Sequence, residues 1–399
     1  MPPKEIAPRV LSWASLLDEE AARQAATTAR LPVVRGHVAL MPDAHLGKGV
    51  AIGSVIPTKG ALIPSAVGVD IGCGMTAAET DVTADDLPDT LEPLLDRIGQ
   101  SVPAGMDTRR SRGTSQTGQD HDRCEAGVAW LKRALHQPST QLTPEQLRKV
   151  GEQFGTLGSG NHFLEVCVDE RDRVWVVLHS GSRGIGNQLA QRHITSAKGL
   201  MRQLDVALED PELAYVLAGT PEFDAYVADL RFAQGYAKAN RAQMMAAALA
   251  DLIAEVGRGR QTRRIDCHHN YAVVEHHFGE DVWVTRKGAI RARAGDLGIV
   301  PGSMGTTTYI VQGLGETQSY ASCAHGAGRA MSRRQARQRF TEDDLLAAMG
   351  DRTWLRHSAK RLLDEIPGSY KDVTTVMADQ RDLVEPLHTL HGVLSYKGT

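Results

Sequence analysis

Five short stretches in glycine-rich, strand-like text carry the residue types that bind metals and phosphates. "AVGVDIGCGM" offers Asp70 and Cys73, "GTLGSGNHFLEV" offers Asn161, His162 and Glu165, "LHSGSRGIG" offers His179, "CHHNY" offers His268 and His269, and "SCAHGAGR" offers His325. A histidine that ends an apolar run and is followed by glycine points readily into a cleft, because glycine lets the backbone approach a ligand closely. A lone histidine is more often a satisfied core or surface residue than a ligand. Five stretches written in one style point instead to a single shared site. A thiolate with imidazoles suits zinc, whereas added carboxylate and positions open to phosphate oxygens suit manganese. In the run from Asp70 to Cys73 a turn can bring carboxylate and thiolate to one metal pair, with the sulfur able to bridge two ions.

The loops "HSGSRGIG" and "HGAGRAMSR" each place backbone N–H groups and an arginine at an expected helix start, an arrangement that holds phosphate. In the second, His325, Arg329, Arg333 and Arg337 recur every fourth residue, so a helix through them would present all four on one face. The first loop also resembles the glycine turn of a dinucleotide-binding enzyme. That reading needs an acidic residue about 20 positions on at a strand end, and the text that follows is helical. None of the eight tyrosines has a lysine four positions later, which removes the short-chain dehydrogenase version. These features argue against a nicotinamide enzyme, and the loop reads better as a ligand histidine followed by an anion-binding turn.

These residues need a scaffold. Residues 31–75 alternate short apolar runs with turn signals and read as strands, 79–150 are more helical with a polar loop near 105–120, and 151–184 return to strands. An Ala-, Leu- and Gln-rich helical layer is expected over 186–256, strands over 264–324, helices over 329–385 and a last short strand at 389–397. No fixed-period repeat or Pro/Ser-rich linker divides the chain, so the expected class is mixed α/β (α+β). The expected organisation is a single domain over residues 1–399, with central β-sheets around the metal site and peripheral helices. With 42% hydrophobic and 23% charged residues the composition is globular. Five scattered cysteines argue against a disulfide framework, and no secretion signal or membrane span is legible, so a cytoplasmic location is the expectation. At a net charge of −3, any nucleic acid must be held by local basic patches, of which 108–113, 257–264, 286–293 and 329–339 are candidates.

The set of motifs resembles the RtcB family, the GTP-dependent RNA ligases that join 3′-phosphate ends, and sits nearest its bacterial branch. The match runs through "MPDAHLGKGVAIGSVIPTKG", "AVGVDIGCGM", "GTLGSGNHFLEV", "LHSGSRGIGN", "CHHNYAVVE", "VTRKGAIRARAGDLGIVPGSMG", "SCAHGAGRAMSR", "YKDV" and "YKG" in order. The resemblance implies that His325 attacks the α-phosphorus of GTP, that the guanylate passes to an RNA 3′-phosphate, and that a 5′-hydroxyl then expels GMP. A 2′,3′-cyclic phosphate would first be hydrolysed to a 3′-phosphate.

It further implies one manganese ion on Cys73, His179 and His269 and a second on Asp70, Cys73 and His162, with Cys73 bridging. Asn161, Glu165, Asn270, Pro301, Gly302, Ser303, Met304, Thr308, Gly326, Ala327, Gly328, Tyr370 and Lys397 would surround the nucleotide. Arg183, Arg329 and Arg333 would meet phosphates of nucleotide or RNA. His268, beside a ligand position, is not expected to coordinate. The implied partner is RNA with 3′-phosphate or 2′,3′-cyclic phosphate and 5′-hydroxyl ends, with an activating protein as an admissible second partner and no membrane. Two rival readings stand beside it: a dinuclear phosphatase or nuclease, which needs no covalent histidine, and a non-catalytic RNA-binding protein, which needs no metal ligands.

Overall fold

The computed structural model describes residues 2–104 and 118–398. The polar loop expected near 105–120, with its basic stretch 108–113, therefore lies outside the described residues up to the helix that begins at Gly118. The chain begins β1 (Lys4–Ala7), β2 (Val10–Ser12), α1 (Glu19–Ala29), β3 (Val38–His45), β4 (Ile52–Thr58), β5 (Ala61–Leu62), α2 (Pro64–Val67) and β6 (Gly74–Thr83). It continues with α3 (Glu92–Ser101), α4 (Gly118–Arg133), α5 (Pro144–Gln153), β7 (Phe163–Val168), β8 (Arg173–Ser180), α6 (Arg183–Gln203), β9 (Val216–Leu217) and α7 (Pro221–Val256). Next come β10 (Gln261–His268), β11 (Asn270–His277), β12 (Glu280–Lys287), β13 (Ala289–Arg291), β14 (Leu297–Pro301), β15 (Thr307–Gly313) and β16 (Ser322–Ala324). The C-terminal part is α8 (Arg333–Arg339), α9 (Glu342–Met349), β17 (Thr353–Trp354), α10 (Ala359–Leu362), α11 (Val373–Asp379) and β18 (Val384–Lys397). The mixed α/β class holds. The last strand is not short, however. It runs for 14 residues and is long enough to pair β15 with its first half and β7 with its second.

Two sheets carry the architecture. The smaller has the order β1-β2-β3-β4-β12-β11, and the larger runs β10-β6-β8-β7-β18-β15-β14, with β17 beside β18. The larger sheet curls until its end strands β10 and β14 touch. Its concave face is filled by Met75, Ala77, Cys167, Trp175, Val177, Ile265, Ile299, Ile310 and Leu390, from all seven strands of the path. Its convex face packs Ala78, Leu164, Val166, Val174, Val176 and Leu178 against Leu94, Leu95 and Ile98 of α3 and Met244, Met245 and Leu252 of α7. The alternation of inward and outward residues along β6 and β8 is the period of two expected of a strand covered on both faces.

The smaller sheet is tied to the segment that leads into His325. Arg286 of β12 is fully buried; its guanidinium donates to both oxygens of Glu275 on β11 at 2.7 and 3.1 Å, to Ser322 Oγ at 2.9 Å and to the Tyr320 carbonyl at 2.9 Å. Burial opposes the charge on Glu275, but the adjacent guanidinium outweighs it and holds the carboxyl down at about 2. Because the folded value lies below the ordinary one of 4.5, this carboxylate stabilises the fold fully above about pH 4.5 and loses its contribution as pH falls towards 2. Glu275→Gln, which strands a buried guanidinium, is expected to cost about 3–5 kcal/mol at pH 7. Denaturant titrations from pH 7 to pH 3 should show the gap between parent and variant narrowing below pH 4.5; a gap independent of pH would refute the assignment.

Candidate metal and nucleotide site

The order of the larger sheet explains how ligands far apart in sequence meet. Neighbouring strands β10, β6, β8, β7 and β18 are antiparallel, so alternate ends lie along one edge. That edge carries His269 just after β10, Cys73 just before β6, His179 near the end of β8, His162 just before β7 and Lys397 at the end of β18. The short turn that begins at Asp70 closes with Cys73 N donating to Asp70 O, and it is zipped to the next bend by Gly72 N to Asn270 O and His269 N to Cys73 O. Arg241 of α7, fully buried, braces the edge from behind by donating to the Gly72 and Ser180 carbonyls and to both oxygens of Asp266.

Side chains meet in a row. Asp70 Oδ2 lies 3.1 Å from His162 Nε2, which lies 3.4 Å from Cys73 Sγ; the same sulfur lies 3.3 Å from His179 Nε2, which lies 3.3 Å from His269 Nε2. Backbone carbonyls fix two of the tautomers. His162 Nδ1 faces Leu157 O at 3.0 Å and His179 Nδ1 faces Asn161 O at 3.0 Å; a carbonyl only accepts, so each Nδ1 carries the proton and each Nε2 presents a lone pair. A half-buried carboxylate, a sulfur and imidazole lone pairs thus point at one another. Electron-pair donors crowd this way around a cation, and the donor set of sulfur, nitrogen and one carboxylate fits a divalent transition metal. Burial and the neighbouring imidazoles hold His179 and His269 well below the ordinary histidine value, so both stay neutral and able to coordinate. Burial and the Asp70 charge push the Cys73 thiol well up, so its deprotonation must come with the metal.

The loop after β8 behaves as expected in one respect and differently in another. A helix does start at Arg183, but its first free N–H, from Ser182, is taken by Asp70 Oδ1 at 2.9 Å, so a protein carboxylate occupies the anion position. Gly181 permits this, because a Cβ there would stand 2.2 Å from Asp70 Oδ2. The second loop requires a correction. The helix begins only at Arg333, after a cap by Ser332, and Gly328 turns the chain with φ at +71°. His325 and Arg329 therefore do not share a helical face with Arg333 and Arg337; the left-handed glycine breaks the four-residue spacing before the helix starts.

His325 still reaches the cluster, its ring 4.7 Å from that of His269. Its Nδ1 lies 2.5 Å from Asp43 Oδ2, and its backbone N–H donates to the same oxygen at 3.2 Å. Asp43 is fully buried, and sequence reasoning missed it although it stands in the quoted "MPDAH". The carboxylate lies against Nδ1, and with the proton on that nitrogen Nε2 would be left bare.

The residues expected around a nucleotide fall into adjoining groups. Glu165 is buried on β7 beside Ser395 Oγ at 3.1 Å, and burial pushes its carboxyl up to about 7 against the pull of Ser395 and Lys397. Pro301 to Met304 open the turn between β14 and β15, and Ala327 N donates to Pro301 O, which seats the Gly326–Gly328 loop on that turn; Thr308 lies opposite Pro301, buried. Asn270 bridges Asp70 O and Gly288 N. Asn161 contributes its carbonyl to His179 rather than its side chain. His268 turns away, with Nδ1 on Gly72 O.

Lys397, Tyr370 and Arg333 converge on Glu365: Lys397 Nζ at 2.8 Å, the Tyr370 hydroxyl at 2.6 Å and Arg333 at 2.6 Å. Arg329 donates to Asp364 O and Met331 O and stacks on Tyr370, and Arg333 also meets Asp364. Asp364 and Glu365 are both buried, and their charged letters gave no sign of it. Arg183 reaches Thr156 Oγ1 and packs beside Gly158.

A family model for tRNA-splicing ligase RtcB matches residues 24–398, nearly the whole chain. The chain belongs to the RtcB family. The RNA-splicing ligase RtcB of Escherichia coli strain K12 is 45% identical over 96% of this chain and 95% of that protein. A Mycobacterium tuberculosis RNA-splicing ligase RtcB is 31% identical over 89% of the chain and 94% of its own length. The tRNA-splicing ligase RtcB of Methanococcus maripaludis is 30% identical over 90% of the chain and 87% of its own. Among the described residues, no helix is long and apolar enough to cross a membrane.

If the RtcB metal site is the Cys73 row, manganese should raise the unfolding temperature of the parent. A ligand at a hundredfold its Kd adds about 2.7 kcal/mol to the folded state. Cys73→Ala is expected to fold, to lose activity and to show a much smaller shift with manganese. An equal shift in both proteins, or a fully active variant, would remove Cys73 from the site.

Proposed function

We propose that this RtcB-family chain is a manganese- and GTP-dependent RNA ligase that joins RNA 3′-phosphate ends to 5′-hydroxyl ends through a covalent guanylate on His325. Ends that arrive as 2′,3′-cyclic phosphates would first be hydrolysed. The observation that carries the reading is the Asp43–His325 pair set against the lone-pair cluster. A metallohydrolase that activates water on two ions needs no covalent histidine.

The chemistry follows from the atoms present. His325 Nε2 forms a bond to the α-phosphorus of GTP as the bond to the bridging oxygen breaks and pyrophosphate leaves. A 3′-phosphate oxygen of the RNA then displaces the histidine and forms RNA(3′)pp(5′)G. The 5′-hydroxyl attacks the 3′-phosphorus, and GMP leaves. Asp43 keeps the Nδ1 proton in place and offsets the positive charge that grows on the ring in the first step.

Manganese, held by Cys73, His179 and His269 and by Asp70, Cys73 and His162, would neutralise phosphate charge during each transfer. The Glu165 carboxyl offers an acceptor to the N–H donors of a guanine edge, while Asn161, Asn270, the Pro301–Met304 turn, Thr308 and the Gly326–Gly328 loop would enclose the nucleotide. Lys397, Tyr370, Arg183, Arg329 and Arg333 supply the donors for phosphates, and the RNA strand lies over the same edge. The whole chain would act as one ligase domain.

Incubation with α-labelled GTP and manganese should leave label on the denatured parent that acid releases, and none on His325→Ala. Label absent from both proteins, with metal bound, would replace this reading by a metallohydrolase.

A further inference from the structure

We propose that Lys371 is a positioning residue that sets the geometry of the Asp43–His325 pair. The inference rests on the catalytic role given to His325 above and adds a residue to it. Asp43 sits in a break in the sheet. On one side β3 pairs β2 only up to Leu40, with Trp13 N adding a last bond to Leu40 O; on the other side the β4 register passes from Leu40 opposite Ser54 directly to His45 opposite Ile52. Met41 to Ala44 are therefore looped out of both ladders, so neither neighbouring strand fixes the carboxylate.

Lys371, the lysine of the "YKDV" motif, supplies what the ladders do not. Its ammonium donates to Pro42 O at 3.2 Å and Ala44 O at 2.7 Å, the carbonyls on either side of Asp43, and to Leu16 O at 2.7 Å. An ammonium has three N–H donors, and all three are used. Its backbone N–H meanwhile donates to Gly328 O at 3.0 Å, in the loop that carries His325. One residue thus grips both halves of the pair, Asp43 through its side chain and the His325 loop through its backbone. The two backbones are in close register there: a Cβ on Gly328 would stand 2.2 Å from Asp43 O. Arginine or glutamine would not reproduce the grip, because three carbonyls converge on a point charge that a planar group cannot meet together.

The consequence is a loss of rate rather than of GTP binding, since Lys371 holds the backbone on either side of Asp43 and the loop that carries His325. In Lys371→Met, single-turnover guanylation is expected to fall at least tenfold, with the half-saturating GTP concentration within threefold of the parent. Asp43→Asn with Lys371→Met should be no slower than Asp43→Asn alone, because both remove one positioning effect.

A second readout is independent of GTP. The parent should show a downfield imidazole N–H proton resonance that is lost in His325→Ala and Asp43→Asn, and Lys371→Met should shift or lose it while the melting profile stays cooperative. A folded Lys371→Met with an unmoved resonance, with additive rates or with a defect only in half-saturation would overturn the proposal. If the methionine variant does not fold, Lys371→Gln is read by the same criteria, and failure of both to fold would assign the lysine to the fold and reject the role proposed for it. A parent that takes no label defeats the ligase reading, and the resonance alone then decides for or against Lys371.

Discussion

Everything at the sheet edge depends on one electrostatic demand: several lone pairs have been taken out of water and aimed at each other. His162 and His179 have their protons committed to Leu157 and Asn161, so neither can satisfy Asp70 or Cys73 by donating from Nε2. In water such groups would turn apart. Here antiparallel strand ends hold their backbones and Arg241 holds the turns, so a cation placed among them would relieve the repulsion. Ligands held in this way would favour an ion whose preferred donors and geometry they match.

The chemistry of the pair beside this cluster is separated from it by function but not by space. His325 and His269 have adjacent rings, yet one is oriented by a carboxylate and the other belongs to the donor row. Orientation by Asp43 would favour attack on phosphorus, and the donor row would favour charge neutralisation. A phosphoryl group placed between them would meet both at once.

Much of the donor row was legible because its letters are unusual for where they stand. Cysteine and histidine among glycine, serine and asparagine, at the ends of apolar runs, have few structural reasons to recur, so Cys73, His162, His179 and His269 announced a common site. The residues that were not legible are those whose role is made by tertiary geometry. Asp43 is one carboxylate in a strand-like run, and only the break in two ladders turns it toward His325. Asp364 and Glu365 read as solvated charges and prove to be buried among Arg329, Arg333, Tyr370 and Lys397. The supposed arginine face failed because periodicity was counted through Gly328, whose backbone leaves the helical region. The final strand was read short because Pro386 and Gly392 interrupt its β pattern, and register shifts against both neighbours absorb them.

Helix α7 has a further consequence. Its 36 residues extend for about 54 Å at 1.5 Å per residue. Along that length Tyr226, Leu230 and Ala233 belong to the core around α1 and the smaller sheet, Phe232 and Tyr236 to the one around α5, and Met244 to Leu252 to the convex face of the larger sheet. Arg241, the brace of the donor row, sits between the last two groups. The three cores are therefore threaded on one rod, and none can melt without freeing a segment of it. Such coupling favours a single cooperative transition over stepwise loss of parts. It also ties the brace to packed residues on either side of it, so the edge that carries Cys73 and its neighbours is backed by core rather than by a loop.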